Sequence, residues 1–364
     1  MRTVNGLHKL TAGMRTATLL VVSLLLVFVG VSGLVYQAQA ATALAPYLVP
    51  AKPGPYVVGL SNSFSGNSWR AQMVAEFKAA ADKLKAEGKL KDYIIADATG
   101  STASQIQQIQ NMIAKHVDAI LIDANSATAL NPVIEQAHKA GTLVVAFDNT
   151  VTSPYAINVN TDAKEFGRVG AEWLVKKLNG KGNIIALNGL AGTPVNNDRW
   201  AGALAVFKQY PQIKIVAQVN ANWDQATAQQ AVANLLPSLP KIDGVWSQGG
   251  AMTLGAIYAF QAAHRPLVPM SGEANNGLLK AWVKYKDQGF DSIAPAQPPY
   301  LSAQALNVAM QVLGGGQVSQ NVKVPLPVIT DANLAKVVRE DMPDSLWLPV
   351  TLSSAELERL FGKK

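Results

Sequence analysis

From Tyr56 onward the chain alternates short apolar, β-branched runs with longer amphipathic ones. Residues 56–60 read as a strand, 69–86 as a helix, 93–96 as a strand and 101–115 as a helix with an uncharged, Gln-rich outer face. Residues 119–122, 131–140 and 143–147 continue strand, helix, strand. The pattern then restarts. Thr161 and Asp162 cap a helix running to Leu178, and strands at 183–187, 213–219, 244–247 and 267–270 alternate with helices near 198–210, 224–236, 251–263 and 277–286. After these come a strand-like 292–294, a helix over 300–313 ended by three glycines, an extended 322–329, a short strand at 346–352 and a terminal helix from Ser353. Repeated βαβ units form parallel sheets covered on both faces, so the fold class is α/β, with two doubly wound parallel sheets in succession. In such sheets ligands sit beyond the carboxyl ends of the strands, and function is sought in the loops there.

The 364 residues suffice for two domains, each with its own core, and the 15% of charged residues rules out a disordered polyelectrolyte. Lys and Arg number 31 against 24 Asp and Glu, but Arg2, Lys9 and Arg15 fall in one terminal segment that holds no acid. The remainder is only mildly basic and carries no Lys/Arg-rich run or aromatic-basic interleaving, which argues against a nucleic-acid partner. The terminal segment reads as an export signal: a basic start, an apolar run over 17–36, then Ala38 and Ala40 at the spacing signal peptidase accepts. Cleavage after Ala40 is expected, with an uncleaved anchor as the competing reading. With no cysteine there is no lipid-modified N-terminal cysteine and no disulfide framework, so a free periplasmic protein is expected. Residues 41–55, rich in Ala, Pro and Gly, read as a tether.

Catalytic chemistry is hard to assemble. His116, His138 and His264 fall in or at the ends of helices without neighbours at metal spacing, so no metal site and no cofactor is assigned. The run from Gly59 to Ser63 starts like a nucleophile elbow but lacks its closing glycine. Gly189 to Thr193 joins strand to helix as phosphate loops do, yet no Gly-Lys-Ser/Thr follows. An enzyme is therefore not expected.

The strand-end loops are richer. The first, from Ser61 to Arg70, packs Asn62, Phe64, Asn67, Trp69 and Arg70 into one turn. Asp148 and Asn149 follow the fourth strand, and Asn197 and Arg199, Trp223, Gln248 and Glu273 follow strands of the second sheet. Aromatic faces flanked by amides, carboxylates and guanidinium groups suit a sugar ring: the aromatics stack on C–H faces while the planar polar groups bond pairs of hydroxyls. Turn-making and capping explain any one such loop, but hardly so many at strand carboxyl ends.

On these residues, and on the string from Val117 to Ile122, Phe147 to Asn149, Asn183 to Gly192, Trp223-Asp224, Leu254 to Ala256 and Val312 to Gly315, the chain resembles the type I periplasmic sugar-binding proteins of ABC importers, the ribose-binding-protein-like family. The resemblance implies two lobes, 56–160 with 296–330 and 161–295 with about 331–364, joined by a three-segment hinge near Asn160, Pro295 and Thr330 and closing on a sugar. It implies amide and aromatic contacts from Asn62, Phe64 and Trp69 with Arg70 a neighbouring donor, a hydroxyl-binding acid in Asp148, an aromatic stacker in Trp223 and a crossover amide in Gln297. Asn149 and Asn197 stand where the family often has Arg. Gly249 and Gly272 replace a usual Asn and Asp, which implies spare volume in the second lobe, room for a polar or acidic substituent near Arg70 and Arg199, and poor binding of D-ribose.

The resulting expectation is a receptor that captures a monosaccharide-like ligand and delivers it to an ABC permease with its ATPase. The alternative is an exported sensory receptor presenting a small polar signal to a chemoreceptor or kinase. A transcriptional regulator on the same fold is disfavoured because no helix-turn-helix precedes Tyr56.

Overall fold

The computed structural model describes residues 44–362; the segment expected to be an export signal, with its expected cleavage site, lies outside the described residues. Within them the chain runs β1 Tyr56–Asn62, α1 Ser68–Ala86, β2 Leu90–Asp97, α2 Thr102–Ala114, β3 Ala119–Ile122, α3 Asn131–Lys139, β4 Leu143–Phe147 and β5 Ile157–Asn160. It continues α4 Ala163–Lys177, β6 Gly182–Asn188, α5 Pro194–Phe207, β7 Ile213–Asn220, α6 Gln225–Leu235, β8 Gly244–Ser247, α7 Gly250–Ala262, β9 Met270–Ser271, α8 Asn276–Tyr285 and β10 Ser292–Pro295. It ends α9 Leu301–Leu313, β11 Asn321–Lys323, β12 Val328–Ile329, α10 Leu334–Val337 and α11 Ser354–Phe361.

The central strands of the first sheet, β3 and β4, are apolar at every position. All residues of β3 and β4 are buried, as a parallel sheet covered on both faces requires. Several helices start where a side chain can take up a free backbone N–H: Asn67, Ser101, Asp162 and Asp224 each accept one at the head of their helix, and Asn275 accepts two. Two six-stranded sheets result, ordered β11-β5-β4-β3-β1-β2 and β12-β10-β9-β8-β6-β7. The second repeats the strand order of the first. Each reverses its winding between its first and third strands, and the loops leaving β1, β3 and β4 converge there, as do those leaving β6, β8 and β9.

Three features depart from expectation. The third crossing falls at 324–327, because β12 pairs antiparallel with β10 in the second sheet while β11 stays parallel to β5 in the first. Residues 322–329 are thus two strands in different sheets. Residues 44–55 do not hang as a tether: Leu48 and Val49 are buried in the first lobe's core, and Lys52 N donates to Leu313 O at 2.9 Å. Two adjacent aliphatic side chains outweigh the Pro and Gly around them, since burying each is worth about 1.5–3 kcal/mol. The stretch 346–352 forms only an isolated antiparallel bridge, Trp347 to Asn275.

Helices α4 and α5 approach unusually closely, through glycine. A Cβ on Gly167 would fall 1.8 Å from the carbonyl oxygen of Arg199, and one on Gly202 would fall 2.0 Å from that of Lys164. This contact sets the height of Arg199 above the sheet. Gly202→Ala is expected to force the helices apart at a cost of about 1–3 kcal/mol. In scanning calorimetry that lowers Tm by several degrees; an unchanged Tm would contradict the close packing.

Candidate functional site

The first-lobe half of the site is built around a buried guanidinium. Arg70 lies in the first turn of α1, fixed by the Asn67 cap that accepts its backbone N–H at 2.9 Å. Its side chain is ion-paired with Asp123, which leaves β3, and with Asp148 at 3.3 Å, which leaves β4. Asp148 adopts a left-handed φ of 55°. Asn160 holds that turn by donating to the Asp148 carbonyl at 2.7 Å. Asn149 donates to both Asp123 and Asp148, at 3.0 and 2.9 Å, completing a buried charged cluster. Burial pulls the Arg70 guanidinium below its ordinary value, opposed by Asp148 and Asp97, and a guanidinium so paired keeps its charge.

The second lobe carries a counterpart. Arg199 on α5 meets Glu273, just after β9, in a two-pronged pair at 3.0 and 3.2 Å, and donates to the Gln248 carbonyl at 2.6 Å. Its guanidinium lies 3.6 Å from the centroid of the Phe166 ring and 5.5 Å from that of Trp223. Burial pushes the Glu273 carboxyl up; Arg199 opposes this and the charge of Asp148 across the cleft adds to it.

Gln297, in the segment between β10 and α9, joins the halves. Its Nε2 donates to Asp148 at 2.9 Å and to Asn160 at 2.6 Å, and its N–H donates to Glu273 at 3.3 Å. Its carbonyl accepts from Trp69 Nε1 at 2.8 Å, and its Oε1 accepts from Thr161. Directly between the lobes, Val195 N donates to Asn149 Oδ1 at 3.1 Å. Between these contacts lies a narrow cleft lined by Asn67, Trp69, Arg70, Asp148, Val195, Arg199, Trp223, Glu273, Gln297 and Trp347.

Eight of the residues singled out from sequence line this cleft. Asn62 and Asn149 stand one layer behind, on Arg70 and Asp148 respectively. Phe64 lies under the Arg70 guanidinium, 4.9 Å from ring centroid to Cζ, and Gln248 backs Arg199. Asn197 is corrected: it is exposed. The run from Asn196 to Arg199 is helix rather than loop, since Pro194 starts α5 early, and at helical spacing Asn196 and Arg199 share the inner face while Asn197 turns out. The spare volume expected from the two glycines is also corrected. A Cβ on Gly272 would point into the core, 2.4 Å from Leu278, and one on Gly249 would meet Met252 at 3.0 Å and Trp223 at 3.4 Å. With each arginine bound to carboxylates of its own lobe, no cation is left over for an acidic substituent. Sequence reasoning missed Asp123, Val195 and Trp347; only the position of Asp123 at a strand end could have signalled it.

Residues 58–317 match the periplasmic binding protein domain family. The chain belongs to that family, in its type I group. Among curated relatives, the xylitol-binding protein of Mycolicibacterium smegmatis is 30% identical over 239 residues, 65% of this chain and 68% of that protein. The ribose import binding protein of Bacillus subtilis is 24% identical over 276 residues, 76% of this chain and 87% of that one. Among solved structures, an ABC transporter solute-binding protein from Thermobispora bispora superposes with a TM-score of 0.72 at 33% identity, covering 77% of this chain and 87% of its own. A periplasmic solute-binding protein from Actinobacillus succinogenes with bound D-allose superposes with a TM-score of 0.67 at 26% identity, covering 77% and 99%. Periplasmic binding proteins of this type bind and do not catalyse, consistent with a cleft whose carboxylates are tied down by arginine.

Removing one partner of a buried ion pair leaves the others uncompensated. Arg70→Met, which strands Asp123 and Asp148 side by side, is expected to cost about 3–5 kcal/mol in urea unfolding. A loss below about 1 kcal/mol would mean that the two carboxylates find water instead.

Proposed function

We propose that this binding protein captures a neutral sugar or sugar alcohol of roughly pentose to hexose size between its lobes in the periplasm and delivers it to an ABC import permease. The observation that carries this reading is the cavity itself. It sets the carboxylates of Asp148 and Glu273, each held by an arginine, among three indoles. Ionised carboxylates only accept hydrogen bonds, and a polyol brings many donors. The indole N–H groups of Trp69 and Trp347 are taken by Gln297 and Ser68, which leaves ring carbon for C–H faces.

Charge selects against sugar acids. Asp123, Asp148 and Glu273 face Arg70 and Arg199, so the cluster is neutral to negative before any ligand enters. Arg199 Nε and Gln248 Oε1 are buried without a hydrogen-bond partner, a donor and an acceptor that a hydroxyl or a water would satisfy. The names of the relatives, xylitol, ribose and allose binders, support the class and its transport role. With no spare volume beside Gly249 and Gly272, the reason to expect rejection of D-ribose falls away.

A thermal-shift panel of xylitol, D-ribose, L-arabinose, D-allose, myo-inositol and D-glucuronate tests the class. At least one neutral member is expected to raise Tm and D-glucuronate is not; the reverse order would sink the reading. Hydrogen bonds to a charged group are worth about 1.5–3 kcal/mol each, so Asp148→Ala should weaken the best neutral binder at least about tenfold in calorimetric titration.

A further inference from the structure

Residues beyond 317 fall outside the family match, and they do not simply follow one lobe. Around Trp347 the side chains alternate as in an extended strand. Leu346 and Leu348 are buried in the second lobe's core, and Trp347 is buried with the first lobe's core. The backbone is divided in the same way. Toward the second lobe, Asn276 N donates to Leu346 O at 2.8 Å and Leu348 N donates to Ala274 O at 2.9 Å. Toward the first lobe, Gln72 of α1 acts as a substitute strand: its Nε2 donates to the Trp347 carbonyl and its Oε1 accepts the Trp347 N–H, both at 2.9 Å. Trp347 Nε1 donates to Ser68 Oγ at 2.9 Å, and Glu76, one turn beyond Gln72, accepts the Thr351 N–H at 3.2 Å and its hydroxyl. The indole of Trp347 also lines the cavity, beside Trp69.

We propose that residues 344–353 form a strap that ties the two lobes together across the closed cleft and supplies Trp347 as a ligand-contacting wall of the cavity; the ligand-contacting part rests on the sugar-binding reading above. The three covalent crossovers permit the lobes to rotate, whereas the strap grips both. Its hold on the second lobe is the burial of Leu346 and Leu348 in that core together with the two backbone hydrogen bonds. Its hold on the first lobe is the Trp347 indole, the hydrogen bonds with Gln72, Ser68 and Glu76, and the packing of the following helix α11 against α1 beside Ala75 and Ala79. Opening has to break one of these two holds, exposing either the leucines that enter the second lobe or the Trp347 indole that enters the first. The apolar surface exposed in either case biases the sugar-free protein toward the closed form and slows release of a bound ligand.

The chain has no cysteine, so labels report the lobe separation without interference. Spin labels are placed on the full chain at Lys139→Cys and Lys208→Cys, exposed at the ends of α3 and α5 in the first and second lobes. In sugar-free protein, Gln72→Leu is expected to move the distance distribution measured by double electron–electron resonance toward longer separations. Ser68→Ala, which removes only the indole's partner, is expected to do the same to a smaller extent and serves if Gln72→Leu folds poorly. Trp347→Leu is expected to raise Kd at least fivefold for those of xylitol, D-ribose and D-allose that bind the parent in calorimetric titration. Superimposable distance distributions overturn the strap, and an unchanged Kd in Trp347→Leu overturns its contact with ligand. If none of the three probes binds the parent protein, the sugar reading fails and the ligand contact with it, while the distance measurement still decides the strap.

Discussion

Charges held away from water must be paired, and that requirement organises the cleft. Arg70 and Arg199 are each almost fully buried, and the desolvation of an unpaired guanidinium would cost several kcal/mol. Each is therefore met by carboxylates from strand ends of its own lobe: Asp123 and Asp148 in the first, Glu273 in the second. Because both pairs are complete within their lobes, neither depends on closure. The site is preorganised, and an incoming ligand need not supply countercharge.

Gln297 converts this electrostatic order into a mechanical one. A single amide side chain touches the acid of one lobe and the polar groups of the first crossover, while its backbone touches the acid of the other lobe. Any rotation that parts the lobes has to rearrange hydrogen bonds at the point where ligand-binding acids and hinge meet. A hinge coupled in this way transmits ligand occupancy to lobe geometry without a separate relay.

The close contact of α4 and α5 serves the same end from behind. Glycine at positions 167 and 202 lets two helix backbones nearly touch, and the ring of Phe166 then lies directly against the Arg199 guanidinium. Gly189 plays a similar part under Trp223, whose ring would lie 2.0 Å from a Cβ added there. Such positions read as ordinary turn or helix glycines until the partner element is in place.

By itself the sequence determined the two-sheet α/β architecture, because strand and helix periodicities are local, and most of the cavity wall, because ligand sites of parallel sheets fall at strand carboxyl ends. Asp148, Arg199, Trp223 and Glu273 were legible on that rule alone, and Arg70 and Trp69 from their place in the first strand-to-helix turn. Tertiary structure decided what depends on contacts distant in the chain. Asp123 acquires its role only through Arg70, 53 positions earlier in the numbering. Asn197 lost its role because an early helix start rotated it outward, and Gly249 and Gly272 left no space because Met252, Trp223 and Leu278 occupy it. Residues 44–55 carried no periodic signal, and the strand read over 346–352 gave no sign of which lobe would take Trp347. Their places follow from which core had room for an apolar side chain, and that is a property of the assembled lobes rather than of any local run of sequence.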